Sequence, residues 1–267
     1  MEYEPIKRLF GKFIQNHSLF RKTFYKLLGL LFLREWYVKR TIRKMKFKRD
    51  APVRILDAGA GFGQYSYYCI KKYPRAFILG LEINSDHVES GNRFFQSAGI
   101  DHVLFKTEDI TQIAYKNEFD LILSIDTMEH IEHDDLVFRN FSRALKPGGR
   151  LIISTPSLYR KHRKDGAFVG EHFREGYTVP DLRQKLDRAD IEIEQLTRTY
   201  GFWGDIAWRM GIRNTIKIMN HSFIGKIIGP LYLMLCFPIV WIFMVLDFIW
   251  PNRQGTGLVC TAVKGHS

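Results

Sequence analysis

The sequence predicts an α/β fold, a largely parallel sheet covered by helices on both faces. Three observations lead there. From residue 53 onward, short apolar runs of strand length alternate with longer stretches at helical spacing, joined by short connections. The first run leads into LDAGAGFGQYS, where Gly59, Gly61 and Gly63 stand at alternate positions ahead of a helical stretch. A chain of 267 residues, 46% of them hydrophobic, suffices for one such domain with an appendage.

Residues 1–50 read as basic amphipathic helices spanning Pro5–Lys48, because Ile6, Leu9, Phe10, Phe13 and Ile14 recur at helical spacing. Residues 1–54 hold 15 Lys and Arg against 4 Asp and Glu, nearly the whole net charge of +12. Such an arm seeks phosphates, those of nucleic acid or of an anionic membrane leaflet. Its apolar run, Leu27–Leu33, is short, ends at Arg34-Glu35 and is followed by no small-residue cleavage site, so it is not read as a signal peptide.

Strands are expected at Val53–Asp57, Phe77–Glu82, Val103–Lys106, Phe119–Ile125 and Arg150–Thr155, the last entered through the turn Pro147-Gly148-Gly149. Helices are expected between them at Gly63–Lys72, Ser85–Ala98 and Asp134–Leu145. Val179–Asp187 then reads as a helix, Ile191–Thr197 as a sixth strand and Leu258–Val263 as a seventh. An insertion, residues 200–256, separates the last two. Its centre, IIGPLYLMLCFPIVWIFMVL, holds no charge from Ile227 to Leu246, about the length of a bilayer-spanning helix. Pro238 is expected to break this run and Pro230 to bend it. Ahead of it, Arg209, Arg213, Lys217 and His221 recur every four residues as one basic stripe. The 3 cysteines (Cys69, Cys236, Cys260) form no metal or disulfide pattern and point to a reducing compartment.

A dinucleotide-binding fingerprint requires G-x-G-x-x-G. Here the spacing is G-x-G-x-G after Asp57, and Gln64 stands where the third glycine belongs. With the elements that follow, this segment resembles the first motif of class I S-adenosylmethionine-dependent methyltransferases, close to the group acting on small molecules, quinone precursors and lipids. The resemblance runs from Arg54 to Pro156 and resumes over Glu171–Leu196. It implies a Rossmann-like seven-stranded sheet whose sixth and seventh strands are antiparallel neighbours, with S-adenosyl-L-methionine as cofactor. It places Asp57, Gly59, Gly61 and Gly63 at the cofactor, the glycines facing its methionine moiety. Glu82 would accept from both ribose hydroxyls, Asp109 would contact the adenine amino group and Ile125 would line the pocket. A carboxylate with two acceptor oxygens suits a vicinal diol.

The stretch DTMEHIEHDD resembles the family's loop after the fourth strand, where a Glu-His pair is frequent. His130 is thereby a candidate general base, a structural partnership with Glu129 being the alternative. EHFREGYT resembles a segment lying over the substrate pocket. It makes His172 a second candidate base, and Arg174 and Tyr177 candidates for positioning the acceptor or anchoring a lid. Trp36, Tyr37 and Arg40 fall where an N-terminal helix often closes the cofactor pocket. No metal site is expected from Glu129, His130, Glu132, His133 and Asp134, because adjacent turns of one short helix rarely converge on an ion.

The expected activity is methyl transfer, to oxygen, on a hydrophobic or lipid-like acceptor at the cytoplasmic face of a membrane. Residues 51–199 and 257–267 would form the cofactor domain, and residues 200–256 with the basic arm would supply two membrane signals. A single crossing would separate the sixth strand from the seventh, and two crossings need about forty apolar residues. The expected anchor is therefore re-entrant or interfacial. Nucleic acid is the less favoured partner, since Asp126-Thr127-Met128-Glu129 stands where enzymes methylating base amines carry Asn/Asp-Pro-Pro-aromatic. A non-catalytic cofactor-binding module is the remaining alternative.

Overall fold

The computed structural model describes residues 18–158 and 173–265. The basic arm ahead of residue 18 and His172 lie outside them. Two helices open the described chain, α1 (Ser18–Leu31) and α2 (Leu33–Lys44), separated by an extended Phe32 (φ −114°, ψ 113°). The alternating region follows as β1 (Arg54–Ala58), α3 (Gln64–Lys72), β2 (Phe77–Glu82), α4 (Ser85–Ser97), β3 (Val103–Thr107) and β4 (Phe119–Ile125). Then come a 3-10 turn (Met128–His130), α5 (Asp134–Ala144), β5 (Leu145–Pro156), α6 (Val179–Asp187) and β6 (Ile191–Thr199). The insertion contributes α7 (Phe202–Trp208), a π-helical turn (Arg209–Arg213), α8 (Asn214–His221) and α9 (Gly225–Ile249), and β7 (Gly257–Lys264) closes the sheet.

The seven strands lie in the order β3-β2-β1-β4-β5-β7-β6. The first five are parallel, and β7 runs antiparallel to both β5 and β6. Alternate residues of each central strand feed opposite cores, so strands buried on both faces read as continuous apolar runs. Ile55, Ile78, Leu121 and Ile152 join Cys69 of α3 and Phe95 of α4 on one side. Leu56, Leu79, Ile122 and Leu151 join Phe138 and Phe141 of α5 and Leu182 of α6 on the other. Local caps agree with this layout: Asn84 accepts from Asp86 N and His87 N at the start of α4, and Thr178 accepts from Asp181 N at the start of α6.

Three differences from the sequence reading have physical causes. The Pro147-Gly148-Gly149 turn is a bulge inside β5: Phe119 pairs with Leu145, and the next register pair is Leu121 with Arg150. Leu145, expected at a helix end, therefore begins a strand. The second basic helix is no appended arm, because Val38 and Ile42 of α2 are fully buried in the first core. Finally, Pro238 does not break the apolar run. α9 continues for 25 residues through both Pro230 and Pro238. A proline removes one backbone donor, and packing along a neighbouring helix makes that loss tolerable.

That neighbour is the outbound limb of a helical hairpin. α7, the π-turn and α8 lead away from β6, the chain reverses over Ser222–Ile224, and α9 returns to β7. Contacts run antiparallel along its length. A Cβ on Gly204 would strike the Asp247 carboxyl at 2.8 Å, one on Gly211 would meet Val240 at 3.1 Å, and one on Gly229 would strike Met219 at 2.4 Å. Small residues let the limbs approach. The base is riveted by Asp247, which is fully buried. Its Oδ1 accepts from Gly204 N at 2.9 Å, and its Oδ2 accepts from Tyr37 OH at 2.9 Å and Asn252 Nδ2 at 3.1 Å. Arg40 stacks over Phe248 at 4.2 Å and donates to its carbonyl at 2.8 Å. Tyr37 and Arg40, expected beside the cofactor, thus hold the hairpin instead.

Candidate cofactor and acceptor site

The strand order reverses between β1 and β4, and open α/β sheets bind ligands in the crevice at such a point. Beyond β1 the chain turns through Gly59 (φ 79°), Gly61 (φ 52°) and Gly63 (φ 77°), all left-handed. The three have different surroundings. A Cβ on Gly59 would lie 2.3 Å from Thr127 Oγ1, and one on Gly63 would lie 2.8 Å from the Phe105 ring. A Cβ on Gly61 would meet nothing within 4 Å. Gly59 and Gly63 let the loop settle onto its neighbours, and Gly61 faces the open cradle.

Glu82 stands at the rim of that cradle. Its Oε2 accepts from Gly61 N at 2.9 Å, and its Oε1 accepts from Ile83 N at 2.9 Å and Asn84 N at 3.1 Å. Three backbone donors hold the carboxylate rigid, and Oε2 keeps a second acceptor position for a hydroxyl. Asp57 lies beneath the loop, 2% exposed, and its Oδ2 accepts from Ser66 N at 3.1 Å and Ser66 Oγ at 2.6 Å. It pins the first turn of α3 to β1. Burial pushes its carboxyl up to about 6, against the Ser66 hydrogen bonds and with a further push from Glu82. Asp109 is exposed just past β3, where its Oδ1 accepts from Thr111 N at 2.8 Å. Ile125 is the buried last residue of β4.

The loop after β4 brings a second group of polar residues to the crevice. Asp126 adopts φ 51°, rare outside glycine, and its Oδ1 accepts from Ser154 Oγ at 3.0 Å. Its Oδ2 forms an ion pair with Arg34 of α2. The Tyr200 hydroxyl accepts from Arg34 N at 3.2 Å. Tyr65, in the first turn of α3, is buried with its hydroxyl close to Arg34 and Glu35. Glu129 is buried against Thr155, whose Oγ1 donates to its Oε2 at 3.3 Å. Burial raises the Glu129 carboxyl, while the neighbouring charges of His130 and Arg34 oppose that rise. His130 itself is exposed beside it.

Arg174 and Tyr177 have structural work here. Arg174 donates to the carbonyls of Ile131 (2.8 Å) and Glu132 (2.9 Å) and pairs with buried Asp134, while Tyr177 OH donates to Asp134 Oδ2 at 2.7 Å. They clamp the β4 loop, the anchoring role rather than acceptor positioning. Arg34, Tyr65 and Thr127 escaped the sequence reading. The one available signal was Arg34, a charge closing the apolar run Leu27–Leu33.

A glycine-turned loop after β1, an acidic rim after β2 and a parallel sheet ending in an antiparallel β7 define the class of S-adenosylmethionine-dependent methyltransferases. The chain belongs to that family: residues 49–195 match its model, described as a methyltransferase domain. Over 148 residues it is 29% identical to phosphoethanolamine N-methyltransferase 1 of Arabidopsis thaliana, covering 54% of this chain and 29% of that protein. It is 26% identical over 181 residues to trans-aconitate 2-methyltransferase of Methylobacterium nodulans, covering 67% of this chain and 64% of that one. The chain thus spans under a third of the plant relative's length. Among solved structures, phosphoethanolamine N-methyltransferase 2 of Haemonchus contortus in complex with S-adenosyl-L-methionine superposes with a TM-score of 0.61 at 18% identity, over 86% of this chain and 53% of that one. The [4+2]-cyclase SpnF superposes with a TM-score of 0.58 at 20% identity, over 86% and 81%. The fold alone therefore does not dictate the reaction.

Proposed function

We infer that this protein transfers a methyl group to a hydrophobic or lipid-like acceptor at the cytoplasmic face of a membrane. The observation that carries this reading is one face of α9. Ile228 (48% exposed), Leu231 (51%), Leu235 (78%), Ile239 (50%), Ile242 (54%) and Ile249 (72%) form a continuous apolar stripe at helical spacing. Its most apolar 18 residues have a mean hydropathy of 2.3, and the helix is long enough to cross a bilayer. Both hairpin limbs start from the sheet, beside β6 and β7, so the stripe meets a leaflet from one side. Trp241 and Trp250 are also exposed and suit the interface, and exposed Lys217 and Lys226 complement anionic headgroups.

Bound S-adenosylmethionine supplies a methyl carbon activated by a sulfonium. The residues of this chain supply orientation, and holding reactants in line is worth at most about 7–11 kcal/mol. In this reading Glu82 fixes the ribose, the Gly59–Gly63 turn takes the methionine end, Asp109 and Ile125 flank the adenosine, and Asp57 braces the turn from below. An oxygen acceptor must also lose a proton. His130, exposed beside buried Glu129, is the candidate to receive it. A second reading, nitrogen of a phosphorylated amino alcohol as the methylated atom, is favoured by the names of the plant and nematode relatives.

Flotation with phosphatidylcholine vesicles, with and without phosphatidylglycerol, tests the membrane reading. The protein should float with both, more with the anionic ones, and Leu231→Asp with Leu235→Asp should weaken this at least tenfold. A wild-type chain that stays in the aqueous fraction without detergent overturns it. Mass spectrometry of lipid extracts incubated with the enzyme and cofactor then identifies the methylated atom.

A further inference from the structure

The inner face of α1 grips the cofactor turn. Tyr25 OH donates to the carbonyl of Phe62, the residue between Gly61 and Gly63, and the Phe24 ring packs edge-on against the Phe62 ring at 5.8 Å. Arg21, buried one turn earlier, donates to Ser90 O of α4 at 2.5 Å and lies over the Phe94 ring at 5.1 Å. The turn held in this way is the one whose Gly61 N donates to Glu82. α1 therefore touches the cradle through a residue adjacent to Gly61.

The opposite face of α1 is turned to solvent and yet is apolar. Leu19 (74% exposed), Phe20, Leu27 and Leu30 share it with Thr23 and Lys26, and all six are exposed. At 3.6 residues per turn they fall within one arc of about 120°. A surface helix of a soluble domain turns its apolar stripe towards the core. The helix also carries Arg21, Lys22 and Lys26 and no acidic residue. An outward apolar face with lysines at its margin is the composition of a helix lying among anionic headgroups. α1 adjoins the hairpin as well. Trp36 of α2 donates from Nε1 to Gly29 O at 2.6 Å, and its ring meets that of Trp241 of α9 edge-on at 6.3 Å. Leu30 thus stands one residue from a junction with the helix that bears the exposed stripe. The connection to buried α2 is a single extended residue, Phe32.

We propose that α1 is an interfacial lid: its outer face lies on an anionic leaflet, and that contact holds its inner face on the cofactor turn, so that S-adenosylmethionine binds tightly only at the membrane. This rests on the membrane reading above. A leaflet shifts α1 towards the closed position only by its greater affinity for that position. By reciprocity, the cofactor tightens attachment to the leaflet by the same factor.

Two measurements on the full chain test it, both with phosphatidylcholine vesicles containing phosphatidylglycerol. In the first, S-adenosylmethionine is titrated calorimetrically into vesicle-bound protein. Leu19→Glu with Leu27→Glu should weaken cofactor binding at least fivefold while the protein still floats through α9, and Leu19→Phe with Leu27→Phe should retain it. The second places a polarity-sensitive fluorophore on Thr23→Cys, in the middle of the outer face. Cys236 is replaced by Ser, the other two cysteines being buried. Emission should shift to the blue on vesicles, and saturating cofactor should lower the vesicle concentration at the midpoint at least fivefold. This measurement stands where the Glu pair fails to fold. Three results overturn the lid and leave the membrane reading in place: a folded Glu pair that binds cofactor as the wild type does, a fluorophore that stays in water while the protein floats, and a midpoint indifferent to cofactor. A blue shift that grows with protein concentration in the absence of vesicles assigns the face to a second copy of the chain and also overturns the lid. A wild-type chain that does not float overturns both.

Discussion

From Leu121 to Ile125 every residue of β4 is buried, whereas along α9 the apolar side chains point outward, Leu235 at 78% exposure. Both segments are apolar runs. The first is satisfied by the chain itself, with α2 to α4 on one face of the sheet and α5 and α6 on the other. The second is satisfied on its inner side only, against the outbound limb and α2. Exposed apolar patches larger than a few hundred Å² are uncommon on monomeric proteins and mark surfaces that meet something else. The sheet and its glycine turn are thus a device complete in one chain except for a small molecule. The hairpin leaves the outer apolar face of α9 uncovered by the described residues.

The largest test of the comparison is Glu82→Ala on the sheet side. The carboxylate is the acidic rim of the cradle: without it the ribose loses a charge-assisted hydrogen bond worth roughly 1.5–3 kcal/mol, and Gly61 N loses the acceptor that fixes the cradle's shape. Calorimetry should show affinity for S-adenosylmethionine weakened at least a hundredfold, with vesicle binding unaltered. Unchanged affinity in a folded variant would remove Glu82 from the cofactor site. A parallel loss of vesicle binding would mean the two regions are not separable.

The same contrast explains what the sequence revealed. The strands were legible because an apolar run bounded by turn residues has few other solutions, and the left-handed turn after β1 because three alternate glycines lead from such a run into a helix. Gly59 and Gly63 look equivalent to Gly61 in sequence, but their partners, Thr127 and Phe105, come from distant segments. The path of α9 through Pro238 was illegible because proline reads as a local breaker, while tolerance of it depends on the facing limb. Tyr37 and Arg40 were assigned to the cofactor although they grip Asp247 and Phe248, more than two hundred positions away. No local pattern announces such a contact.

Asp247→Ala probes the joint between the regions and should have the next largest effect. It leaves Gly204 N, Tyr37 OH and Asn252 Nδ2 without their buried acceptor, and each unsatisfied group costs about 1–3 kcal/mol before the site relaxes. Chemical denaturation should show about 2–4 kcal/mol of lost stability. Protection from hydrogen exchange should fall first in α7 and α9 and last in β1 and β4. Uniform loss of protection across all four would show that the hairpin is part of the sheet's cooperative unit and not an attachment to it.

Asp57→Asn sharpens the sheet side and has the smallest expected effect. The Asp57 carboxyl is raised to about 6 by burial, well above its value in an unfolded chain. A raised carboxyl holds its proton in the folded state after the unfolded state has released it. Its stabilising contribution is therefore present below about pH 4 and lost as pH rises through about 6. Asparagine keeps an acceptor for Ser66 N and has no proton to lose. The stability difference between Asp57→Asn and wild type should move in favour of the variant by roughly 1–3 kcal/mol between pH 4 and pH 7, then stay level. Denaturation curves at closely spaced pH values would follow this directly. Parallel pH profiles for the two proteins would show that the Ser66 hydrogen bonds offset burial and leave the Asp57 carboxyl where it lies in the unfolded chain.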